Sequence, residues 1–101
     1  MMFIPLERDK SVINTNSSIG HDCNFSNFSS CGPKVAVGGN VFVGNSAFLG
    51  IHSTINHNIK IGENTVIGGH SFVNKDCKKN SIYFGVPAKK IRKRKEDDTY
   101  L

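Results

Sequence analysis

The chain has 101 residues, 38% hydrophobic and 21% charged, which makes it one small domain and excludes both two independent lobes and a disordered chain. A globule this small leaves much of its surface wet and must gain stability from disulfides, metal or self-association; its three cysteines, with no CxxC pair, point to a reducing compartment rather than a secreted disulfide scaffold. The net charge of +5 is uneven, with four basic and four acidic side chains over 1–74, nine basic and one acidic over 75–95, and three acidic over 96–101, so the excess belongs to a polyanionic ligand or a solvated tail. Residues 1–12 form a lead-in. Its start, MMFIPLERDK, meets charge early and has no apolar run or small-residue cleavage site, so it does not read as a signal peptide. No stretch approaches the roughly 20 apolar residues of a membrane span, and a cytoplasmic location is expected.

Residues 13–78 divide without insertion into eleven hexads, from INTNSS to VNKDCK. Every first position is apolar: Ile13, Ile19, Phe25, Cys31, Val37, Val43, Leu49, Ile55, Ile61, Ile67 and Val73. At this composition a random frame does so roughly twice in 100,000, so the period is a property of the fold. The second position holds seven of the ten glycines, and the fifth holds only small or β-branched residues, from Ser17 to Cys77. A helix would show a period near 3.6, and a hairpin sheet would alternate with turns every 8 to 12 residues. Six fits a coil of short strands and tight corners, with positions one and five facing inward and glycine or asparagine permitting the unusual backbone.

Residues 79–101 make a C-terminal cap and a basic tail. KNSIYFGVPA supplies Ile82, Tyr83 and Phe84 to cover the open end of the coil, and Pro87 permits a short helix or loop through KKIRKRK. RKRKEDD interleaves no aromatics with its charges, so a solvated tail is expected rather than a nucleic-acid surface.

The hexads resemble those of the left-handed parallel β-helix acyltransferases. NTNSSIGHDCNFSNF resembles the N-T-x-A-x-I/V-x-H-D-C-x-I-G-D-F segment of the bacterial sugar N- and O-acetyltransferases of sialic-acid and surface-glycan synthesis. GGNVFVGNSAFLGIHSTI, IGENTVIGGHSFVNKD and FGVPAKKI resemble the blocks that follow it there, in the same order. The resemblance implies an all-β, left-handed parallel β-helix of 18-residue turns, a homotrimer, and acetyl-coenzyme A as acyl donor to a sugar or nucleotide-sugar, an amine slightly favoured over a hydroxyl. Three hexads per turn place Cys23 and Cys77 in one column about 14 Å apart, beyond disulfide range.

Acyl transfer from a thioester needs a base near neutral pH, and imidazole suits that work. By resemblance His21 is the base, Asp22 orients it, and the Gly39 amide, one turn on, meets the thioester oxygen. The column containing His21 also takes in Gly39, His57 and Lys75, while His52 and His70 are neighbours in another. The resemblance further implies contacts of coenzyme A with Ile51 and Gly69, and of its phosphates with Gly85, Pro87, Ala88, Lys89 and Lys90. Two departures bear on activity. The chain starts almost at the H-D-C segment, so it is expected to lack the sugar-binding α/β domain, and Ser30 stands where many relatives carry a second histidine. A non-catalytic trimeric module is therefore the alternative. Some trimeric left-handed helices are zinc carbonic anhydrases; His52 and His57 reproduce their H-x4-H pair, but Asn16 stands at the third ligand position and is a poor one, so no metal is expected.

Overall fold

A computed structural model describes Val12–Ile13 and residues 16–95. The lead-in before Val12, corner positions 14 and 15, and the acidic end over 96–101 lie outside the described residues. Each hexad forms one two-residue strand from its sixth position and the next first position. These strands stack every 18 residues into three parallel sheets around a triangular prism. The first sheet contains β1 Val12–Ile13, β4 Ser30–Cys31, β7 Phe48–Leu49 and β10 Val66–Ile67. The second contains β2 Ser18–Ile19, β5 Ala36–Val37, β8 Thr54–Ile55 and β11 Phe72–Val73. The third contains β3 Asn24–Phe25, β6 Phe42–Val43 and β9 Lys60–Ile61. The fold is an all-β, left-handed parallel β-helix.

The core is the two inward columns. First-position residues from Ile19 to Val73 are buried, and so are ten of the eleven fifth-position residues, all but the half-buried Cys23. The fifth-position hydroxyls are buried at no loss because corner carbonyls accept their protons: Ser17 Oγ donates to Gly32 O at 3.1 Å and Ser53 Oγ to Gly50 O at 2.7 Å. Among the described residues no buried side-chain nitrogen or oxygen lacks a partner.

The corners divide their labour differently from the sequence expectation. The left-handed backbone lies at the fourth hexad position, at Asn16, Asp22, Phe28, Lys34, Asn40, Ser46, His52, Asn58, Asn64 and His70, with φ between 55° and 62° and no glycine among them. The second-position glycines serve close stacking instead. A Cβ on Gly20 would lie 2.7 Å from Gly39 N, and one on Gly44 2.6 Å from Glu63 N, both backbone atoms of the next turn.

The repeat also ends sooner than the hexad count implies. Phe72 and Val73 still pair 18 residues back with Thr54 and Ile55, but Cys77 bridges Ile61, only 16 back. Cys77 therefore enters the column of Phe25, Val43 and Ile61 rather than that of Cys23, and Lys75 falls in a shortened corner rather than a regular repeat of the His57 position. The Lys60 amide donates to Asp76 Oδ1 at 2.8 Å where the ladder is interrupted. None of the three cysteines is joined in a disulfide.

The expected helix after Pro87 is absent. β12 Ser81–Gly85 adds to β10 in parallel, and β13 Ala88–Lys93 returns antiparallel to β12. The physical reason is the ladder edge that β12 leaves free once it has paired with β10, which a strand after Pro87 satisfies and a helix could not. Ile82 and Tyr83 are buried as expected, and the Tyr83 hydroxyl accepts the Lys78 amide at 2.9 Å. Phe84 lies against Gly68 but remains 54% exposed, so it is not part of the inner cover. Arg94 ties the cap to the wall, its Nη1 donating to Ser46 O at 3.1 Å and Asn64 Oδ1 at 2.9 Å.

Candidate active site

Three corners link the sheets. The corner between the second and third sheets holds residues 20–22, 38–40 and 56–58; it brings His21, Asp22 and Gly39 together. Asp22 takes the left-handed conformation with φ of 60°, which turns its carboxylate back toward the preceding ring. His21 Nδ1 lies 3.1 Å from Asp22 Oδ2, and both side chains are more than four-fifths exposed. A carboxylate only accepts, so Nδ1 carries a proton and Nε2 of the neutral ring keeps its lone pair.

The imidazole lies over Gly39. A Cβ on that residue would sit 2.9 Å from His21 Nε2 and 3.0 Å from Cε1, so the ring occupies space that any other residue would fill. On either side the Gly38 amide donates to Ile55 O at 2.9 Å and the Asn40 amide to His21 O at 2.8 Å. The Gly39 N–H between them has no acceptor among the described residues. An acceptor lone pair and an unused amide donor thus share one corner.

Beside this corner a groove of about 240 Å³ runs over the outer face of the third sheet, lined by Asp22, Asn24, Asn40, Val41, Phe42, Asn58 and Lys60. Asn40 Nδ2 donates to Asn58 Oδ1 at 2.9 Å, forming an amide rung along the column. Sequence reasoning missed the groove. Its signal was the 18-residue recurrence of Asp22, Asn40 and Asn58 at fourth positions, and of Asn24, Phe42 and Lys60 at sixth positions.

The residues matched to coenzyme A lie elsewhere. Ile51 and Gly69 stack at the corner between the first and second sheets, with a Cβ on Gly69 3.1 Å from Ile51 Cγ2. Gly85, Pro87, Ala88, Lys89 and Lys90 belong to the β12–β13 hairpin, whose Gly85 amide donates to Ser71 Oγ at 3.0 Å at that same corner. One chain therefore separates the His21 corner from the Ile51 corner by the width of the second sheet. His52 and His70 stack as column neighbours there, ring centroids 4.9 Å apart at 11°, whereas His57 lies at the His21 corner. The H-x4-H pair is thus split between two corners, and the described residues contain no group of three metal-ligating side chains.

Residues 40–75 match the family described as bacterial transferase hexapeptide (six repeats). No curated protein matches the chain. Among solved structures, this hexapeptide solenoid superposes with a TM-score of 0.79 on a histidine-to-alanine variant of GDP-perosamine N-acetyltransferase from Caulobacter crescentus in complex with CoA and GDP-perosamine, at 33% identity over 80% of this chain and 39% of that one. It therefore spans about two fifths of that relative. The acetyltransferase domain of PglB from Neisseria gonorrhoeae, in complex with acetyl coenzyme A, gives a TM-score of 0.79 at 22% identity over 80% of this chain and 40% of that one. A maltose O-acetyltransferase from Clostridium difficile gives 0.71 at 21% over 90% and 70%. The last two share the fold alone. Among the described residues no helix is long and apolar enough to cross a membrane.

Proposed function

We propose that this hexapeptide solenoid is the acyl-transfer part of a cytoplasmic, acetyl-coenzyme A dependent acetyltransferase whose acceptor is a sugar or nucleotide-sugar of surface-glycan synthesis, an amine favoured over a hydroxyl. The observation that carries the reading is the His21 ring seated over the bare Gly39 backbone, beside an amide donor with no other acceptor. The 33% identity to a nucleotide-sugar N-acetyltransferase crystallised with CoA supports the substrate classes.

Acetyl-coenzyme A, as substrate, supplies an activated acetyl thioester. His21 Nε2 takes the proton from the acceptor amine as its nitrogen attacks the thioester carbon, and Asp22 stabilises the imidazolium through Nδ1. The Gly39 N–H donates to the carbonyl oxygen as it gains charge. When the carbon–sulfur bond breaks, the imidazolium returns its proton to the leaving thiolate, so protons and charge balance.

Self-association supports the reading further. The His21 and Ile51 corners flank the second sheet, whose outward residues Ser18, Ala36 and Thr54 are small and exposed. Packing three copies over that sheet sets the His21 corner of one protomer against the Ile51 corner of its partner, with Ile51, Gly69 and the Gly85-to-Lys90 hairpin holding coenzyme A. A zinc enzyme has no support from the split His52 and His57. The test is acetylation of nucleotide-linked amino sugars, GDP-perosamine among them, by the chain and by His21→Ala. Turnover that survives His21→Ala removes His21 from the mechanism. Ser30, at the position where the resembled family often carries a second histidine, favours one second reading, a non-catalytic trimeric module; calorimetry with millimolar acetyl-coenzyme A and no binding heat would establish it over the first.

A further inference from the structure

The cap hairpin carries two features that neither the core nor the proposed acyl transfer explains. Three large apolar side chains stand exposed on it: Phe84 at 54%, Ile91 at 59% and, at the turn, Val86 at 73%. The same segment carries the exposed lysines Lys78, Lys79 and Lys93, which the proposed coenzyme A contacts do not use. The single acid over 75–95, Asp76, is engaged by the Lys60 amide.

We infer that this end of the solenoid docks on an anionic lipid bilayer. Lysines on an edge strand discourage strand-to-strand pairing, but that purpose would not leave aliphatic side chains bare among them. The pairing of Ile82 with Arg92 and of Tyr83 with Lys90 leaves Ile91 as an extra residue, and such a bulge re-aims its side chain out of the ladder. Exposed apolar side chains on one hairpin with cations at its open end suit the boundary of a charged membrane, where aliphatic groups sink below the headgroups and ammonium groups stay level with the phosphates. A nucleic acid would present phosphates equally well, yet of the three apolar side chains only Phe84 has a π-face, and the two more exposed, Val86 and Ile91, give its bases nothing to stack on. The charge is also confined to one end, since residues 1–74 balance four basic against four acidic side chains. The inference does not depend on acyl transfer.

The test is co-sedimentation of the full chain with vesicles of phosphatidylcholine alone or with one third phosphatidylglycerol, alongside a polyuridine oligonucleotide. Binding is expected only to the anionic vesicles, with at least a tenfold loss in high salt. The pairs Val86→Asp with Ile91→Asp, and Lys78→Glu with Lys79→Glu, should each weaken it at least fivefold. All four positions are exposed, so an unchanged thermal midpoint serves as the folding control. Equal binding to both vesicles, no binding to either, or indifference to the Val86 and Ile91 changes overturns the inference. So does oligonucleotide binding as tight as vesicle binding and unaffected by those changes.

Discussion

A carboxylate can only accept a hydrogen bond, and at the His21 corner that fact assigns the proton to Nδ1 and the basic lone pair to Nε2. Asp22→Asn offers an amide that can donate instead and weakens this tautomer. A fall in kcat of about 10- to 100-fold with KM nearly unchanged is expected, smaller than at buried sites because both side chains are exposed. Gly39→Ala would place a methyl 2.9 Å from Nε2. The exposed ring swings aside at little energetic loss, so a thermal midpoint within about 2 °C of the parent and a kcat at least tenfold lower are expected, read from melting curves and initial rates. The Cys77 thiol is pushed up to about 12, first by burial and then by the Asp76 charge. Between its ordinary value of 9.0 and about 12, only the unfolded chain gives up this proton, so its contribution to stability is whole below pH 9 and falls as pH rises through that window. At pH 8 a thiol reagent should therefore modify the half-buried Cys23 well before Cys77 or Cys31.

The strands of the coil, β1 to β11, are two residues long, and no strand of that length is stable alone; each is held by its neighbours in adjacent turns. Corner geometry therefore governs stability. Lys34 has φ of 58°, and relieving that strain with glycine gains about 1–2 kcal/mol against about 0.5–1 lost to chain entropy. Lys34→Gly should stabilise by about 0.5–1 kcal/mol, while Gly44→Ala, forced against Glu63 N at 2.6 Å, should destabilise by about 1–3 kcal/mol. Urea unfolding of the two variants decides this, since equal signs would contradict the division of labour between the second and fourth positions. The inward columns were legible in the sequence because burial repeats with the chain's own period. The left-handed fourth positions were legible only in part: Asn16, Asp22, Asn40, His52, Asn58, Asn64 and His70 are types that tolerate that conformation, but Phe28, Lys34 and Ser46 interrupt the signal.

Over the whole molecule, the second sheet lies between the two halves of the proposed site. Thr54→Arg, at the centre of its outer face, should convert the proposed assembly of three 11.1 kDa chains to monomers and abolish turnover while leaving the circular dichroism spectrum intact; sedimentation velocity measures the first effect. By itself the sequence determined the coil and its two core columns, because burial recurs at a fixed spacing along the chain, whereas the meeting of His21, Asp22 and Gly39 was implied by the resemblance of the H-D-C segment and not by spacing alone. Only the tertiary structure decided where that spacing stops. The shortened corner before Cys77, the strand hairpin in place of a helix after Pro87, and the groove of Asn40, Phe42, Asn58 and Lys60 depend on which ladder edge is left free and which side chains meet across turns, and such pairings between distant residues leave no periodic mark on the chain.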